Sequence, residues 1–104
     1  MARGSRYINN GKLKGTLTNH SGTITTGGTA QQVVAANANR NYLLLQNQST
    51  GDLWFDLGVD AVQSQPSLKL VAGDSVVWED NYIPTSSVSI IGATTGQAFA
   101  AKEG

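Results

Sequence analysis

His20 is the only histidine in the chain, and there is no cysteine. Nucleophilic catalysis would need His20 as the base of a Ser/His/Asp set, yet it sits in a polar, glycine-punctuated stretch with no rigid element to aim it. Without a second histidine or a thiolate, a catalytic metal centre of the usual kind has too few nitrogen and sulfur ligands. Three carboxylates recur at intervals of four, at Asp52, Asp56 and Asp60. On an extended strand Asp52 and Asp56 share a face but stand about 13 Å apart, too far to hold one cation between them. No D-x-[DN]-x-[DN]-G loop occurs, and the glycines at Gly27-Gly28 and Gly92…Gly96 lack the Lys-Ser/Thr that completes a phosphate-binding loop. They read as turn glycines and solvated carboxylates. The expectation is a protein that is not an enzyme and uses no metal or cofactor.

What remains for function is contact, and the composition favours it. In 104 residues, 39% are hydrophobic and only 13% charged, about half the ~25% charge usual for soluble domains. Twelve glycines are present, with many Ser, Thr, Asn and Gln, which suits short strands and tight turns better than long helices. A surface so poor in charge is weakly protected against association. The formal net charge is zero, but it conceals a division. Residues 1–14 hold Arg3, Arg6, Lys12 and Lys14 and no acid, whereas residues 15–104 hold three basic residues against seven acids. A basic arm precedes an acidic body, so specific nucleic-acid binding by the body is not expected. No apolar run approaches the ~18 residues of a membrane helix, and the first twenty residues are too polar for a secretory signal. Synthesis and use in a cytosol, or in a particle built there, is the expected setting.

Residues 1–20 read as an extended arm whose only apolar anchors are Tyr7, Ile8, Leu13 and Leu17, and residues 21–104 as one β domain. From Gly22 onward, short runs rich in Val, Ile, Leu and Thr alternate with turn residues at intervals of about 8–12, the spacing of an all-β sandwich or barrel. Seven to eight strands are expected, in a small antiparallel β-sandwich or jelly-roll-like barrel. The runs at 42–46 and 53–57 are expected to form a hairpin across NQSTGD, and those at 88–91 and 97–101 to join across GATTG.

Side chains alternate across a strand, so parity assigns faces. One face collects Leu43, Leu45, Leu53, Phe55, Leu57, Val76, Trp78, Val88 and Ile90, a sufficient core for a small sandwich. The other keeps Tyr42, Leu44, Trp54, Val77 and Ile91. An aromatic side chain buries some 150–250 Å² at roughly 25 cal/mol per Å². A wet second face would forgo several kcal/mol and exceed the apolar patch a monomer normally shows. The chain's own loops or arm could cover it, as could a stacked sugar; a second subunit is the preferred cover, with Tyr42, Leu44 and Trp54 at the contact.

Two stretches, ANRNYLLLQNQSTGDLWFDLG and LVAGDSVVWEDNYIPTSSVSIIGATTGQAFAAKEG, carry a resemblance. The first is similar to an R-x-Y-L-L-L-Q-N hairpin and the second to a closing pattern of Y-[IV]-P-T, V-x-I-x-G and G-Q-x-F-x-A-K-E-G, found in small β-sandwich virion proteins of tailed bacteriophages. The resemblance spans residues 22–104 and leaves the arm outside. It implies a structural role on the virion, made in the host bacterial cytoplasm. The first choice is a decoration, or cement, protein on the capsid surface, trimeric, with the major capsid protein as partner and no membrane. In that reading Arg3, Arg6, Tyr7, Ile8, Lys12 and Lys14 contact the shell, steered there by charge. The same module also serves on fibres. The alternative is therefore a head- or tail-fibre module binding host glycans through Trp78 or Tyr82, and a tail or connector adaptor is a third reading.

Overall fold

The computed structural model describes residues 15–104. Among them are nine strands: β1 (Thr18–Asn19), β2 (Gly22–Thr23), β3 (Gln31–Val34), β4 (Leu43–Asn47), β5 (Leu53–Leu57), β6 (Leu68–Leu70), β7 (Ser75–Trp78), β8 (Val88–Gly92) and β9 (Ala98–Glu103). All pair antiparallel, in two sheets. The first sheet runs β1/β2–β9–β4–β7 and the second β3–β8–β5–β6. The fold is all-β, as the turn spacing requires.

β1 and β2 are one strand with a flaw. Both keep the same register against β9, Asn19 opposite Lys102 and Gly22 opposite Phe99. Between them His20 N–H donates to Ala101 O at 2.8 Å, but Ala101 N–H donates to the Ser21 hydroxyl at 3.0 Å. Serine side chains compete in this way for ladder hydrogen bonds. The sheet thus reaches back to Thr18, four residues before the first strand expected from the sequence. Counted as one, β1/β2 leaves eight strands in two interleaved four-strand sets, the order of a jelly roll.

Two connections differ from expectation. β4 and β5 are not a hairpin, because β4 pairs with β9 and β7 while β5 pairs with β8 and β6. Nor do β8 and β9 pair; the GATTG link carries the chain from one sheet to the other. The physical reason lies in the inner faces. A hairpin would set Leu43 and Leu45 beside Leu53 and Phe55 in a single layer, with nothing across from them. Crossing between sheets stacks the two sets face to face, as a sandwich core requires.

Asn47 is the pivot at the first crossing. It is wholly buried, and its Nδ2 donates to Gly51 O at 2.7 Å and Leu70 O at 2.8 Å. Its Oδ1 accepts from Ser49 N–H and the Ser49 hydroxyl. Gln97 serves the second crossing: Nε2 donates to Asp52 O, and Oε1 accepts from Thr94 N–H.

The core contains Leu43, Leu45, Leu53, Phe55, Val88 and Ile90 from the parity assignment, with Leu57, Val76 and Trp78 packed at its margin. Phe55 meets Trp78 edge to face across the sandwich, centroids 5.7 Å apart. Ile24, Val34, Leu70, Phe99 and Ala101 complete it.

Candidate interaction surfaces

A cluster of hydrogen-bonded polar side chains ties the frame together at one end. The Arg40 side chain is fully buried at one end of the sandwich. Its Nε donates to Glu103 Oε2 at 2.7 Å, Nη1 to the carbonyls of Pro84 and Ser86, and Nη2 to Ala35 O. Asn37 Nδ2 donates to Glu103 Oε2, and His20 Nε2 lies 3.0 Å from Oε1. Gly104 extends the closure: its carbonyl accepts from Asn41 and Tyr42 N–H, and its N–H donates to Tyr42 O. One guanidinium therefore ties three segments, at 35–42, 84–86 and 103, that are remote in sequence.

Burial on its own would raise the Glu103 carboxyl. The Arg40 and Asn37 hydrogen bonds, the Arg40 charge and the His20 contact outweigh it and hold the group below the ordinary glutamate range. His20 is thus a partner of the Glu103 carboxylate.

Two of the three spaced aspartates have side-chain partners. Asp56 Oδ2 accepts from the Ser67 hydroxyl, which in turn accepts from Val62 N–H. Asp52 sits 3.7 Å from Lys69 Nζ at the surface. Among the described residues no group of three or more His, Cys, Asp or Glu is placed to hold a metal ion.

The second face divides in two. Tyr42 and Leu44 lie on the outer side of the first sheet, where register puts Leu44 between Val77 and Lys102. Trp54 lies on the outer side of the second sheet, between Lys69 and Ile91. The structure does not bring Trp54 together with Tyr42 and Leu44, because β4 and β5 belong to different sheets.

The second sheet's outer side is partly covered from within. Ala61 N–H donates to the Ser89 hydroxyl at 2.9 Å, and Ala61, Ser67 and Ser89 are buried as the 58–67 loop crosses this face. Ile91 retains 7% exposure, and Lys69 Nζ stands 5.7 Å from the Trp54 ring centroid, so Trp54 is half-buried. Among the described residues the first sheet has no such cover: Val77 is 42% exposed, with Tyr42 and Leu44 half-buried nearby. Trp78 is held in the core margin, whereas Tyr82 is 67% exposed.

Arg3, Arg6, Tyr7, Ile8, Lys12 and Lys14 lie outside the described residues. The sequence reading missed Arg40, Asn47 and Glu103 as buried polar anchors. It also passed over β7 as an edge, although SVVW carries no charge and stands between Asp74 and Glu79. Comparison with protein families, with curated proteins and with solved structures found no match to this chain.

Proposed function

We propose that this chain is a structural protein of a tailed-bacteriophage particle, a decoration protein that binds the head surface and stabilises junctions between capsid subunits. The observation that carries the reading is spatial. The two sequence stretches that resemble phage virion proteins converge on one lock, Arg40 and Tyr42 from the first and Glu103-Gly104 from the second. The resemblance thus falls on residues that build a frame, in keeping with a mechanical role. The jelly-roll order is one that viral capsid and lectin domains share, and it selects neither function by itself.

The mechanism is linkage. A protein that binds the assembled shell and not its dissociated parts stabilises the shell in proportion to occupancy. The basic residues of 1–14 are steered to an acidic shell, and copies meet through the outer side of the first sheet, around Tyr42, Leu44 and Val77. Trp54, on the opposite side, stands apart from that contact. The major capsid protein is the partner and a trimer the assembly that the resemblance implies.

Co-sedimentation with empty phage heads tests the reading. The expected result is saturable binding, weakened by deleting residues 1–14. Unchanged binding after that deletion removes the arm from the mechanism. The fibre reading is favoured by one observation, the exposure of Tyr82, and predicts glycan-array binding abolished by Tyr82→Ala with no affinity for heads.

A further inference from the structure

Four sheet edges close the two sheets, and three are guarded. β3 has a register shift between Gln32 and Val34. β6 is three residues long with Lys69 at its centre. β1/β2 is broken at His20 and Ser21. Bulges, short strands, lysines and interruptions are the usual protections of an exposed edge.

β7 has none of them. It is four residues of unbroken strand, Ser75-Val76-Val77-Trp78, with no charge and no proline. Alternate residues of an edge strand turn N–H and C=O away from their one neighbour, here β4. Among the described residues nothing pairs with that outward side. Such an edge is a template for an added strand.

Charge selects the occupant. Two copies of β7 pairing antiparallel would set Asp74 of one against Glu79 of the other at both ends, and like charges placed opposite destabilise a pair. A basic strand fits instead. The sequence holds a basic stretch of that kind, with Arg6 and Lys12 bracketing Tyr7 and Ile8. Antiparallel pairing of Arg6 with Glu79 sets Tyr7 beside Trp78, Ile8 beside Val77 and Gly11 beside Asp74, with Lys12 next along.

Reach selects the donor. Leu17 packs against Gly104, on the sheet edge opposite β7. From there to a strand laid outside β7 is four interstrand steps sideways and five residues lengthwise, a diagonal of about 25 Å. The six residues from Gly11 to Leu17 span about 21 Å when fully extended. A chain cannot place its own residues 6–12 on its own β7 in this register.

We infer that β7 is the docking edge for residues 6–12 of a neighbouring copy, so that copies are joined by exchanged arms. Arg3 and Lys14 flank the paired stretch and stay available to other surfaces. The pairing is a property of the free protein and is tested without the shell; where it forms, Arg6, Tyr7, Ile8 and Lys12 are withdrawn from the shell contact of the proposed function, which is then left to Arg3 and Lys14.

The chain's lack of cysteine makes the test direct. Full-length Ile8→Cys chains are mixed with Val77→Cys chains and oxidised mildly, with Thr29→Cys chains as the off-target control. The expected result is a mixed disulfide formed several-fold more with Val77→Cys than with Thr29→Cys. Glu79→Lys in the acceptor should suppress it, and Arg6→Glu in the donor should restore it. Equal yields with the two acceptors overturn the inference, as does a doubly substituted chain, Ile8→Cys with Val77→Cys, that closes only on itself at high dilution.

Discussion

Arg40 has its guanidinium wholly inside the protein while its partner Glu103 keeps 13% of its side chain in contact with solvent. Removing one member of such a pair strands the other, so Arg40→Ala should cost about 3–5 kcal/mol, read as a lower urea midpoint with unchanged slope. The loss exceeds one ion pair because the carbonyls of Ala35, Pro84 and Ser86 lose their donor too. Glu103 also sets the acid response. Its folded carboxyl is held below the usual range, so its contribution is complete above the unfolded glutamate value, about 4.3. That contribution falls away as pH drops through the lower folded value. Glu103→Gln should lower the thermal midpoint at neutral pH and flatten its decline below about pH 4.3. A variant that declines as steeply as the parent would clear Glu103 of that role. None of this was legible beforehand: Arg40 stood in a polar loop, AANANR, and composition gives no sign that a loop arginine points inward. Its partner lay 63 residues away.

Strands, unlike the lock, announce their faces. Period-two parity separated Leu43 and Leu45 from Leu44, and Leu53 and Phe55 from Trp54, and burial follows that division. β7 offers the cleanest check. Val76 packs at the core margin while Val77 faces out. At concentrations that keep copies apart, Val77→Lys should stay within about 0.5 kcal/mol of the parent, whereas Val76→Lys drives an ammonium toward the core and should cost several-fold more; chemical denaturation of both decides it. Parity does not say which strands lie side by side. The NQSTGD link looked like a hairpin loop because its ends are apolar runs of matching length, and the same runs serve equally to face each other across a core. What decides is Asn47, whose amide satisfies the Gly51 carbonyl within the link and the Leu70 carbonyl on β6. Gly92 belongs to this scale as well: a Cβ there would run into the Gln97 side chain and Leu53. Gly92→Ala should cost about 1–3 kcal/mol through overpacking, measured by thermal melting.

For the whole molecule, charge scarcity and turn spacing were enough to reach an all-β sandwich, because few other architectures use so many short β-branched runs between glycines. The order of strands was not accessible, since each sheet is assembled from segments far apart in the chain. Of the pairings, only β5 with β6 joins neighbours in sequence. β9 lies between β4 and the β1/β2 strand, linking residues near 20 to residues near 100.

Such wiring bears on how the protein comes into being. Hardly any ladder can close locally, so folding is expected on the slow side for its size, in milliseconds to seconds, and the strands of the first half, β1 to β4, have no ladder partner until the second half arrives. Nature has also supplied the gauges: one tryptophan reports on each layer, Trp78 on the first and Trp54 on the second. Trp54→Phe and Trp78→Phe proteins should therefore unfold at their fluorescence midpoints in step with far-ultraviolet dichroism, as one event. Two separated transitions would mean that one layer can live without the other.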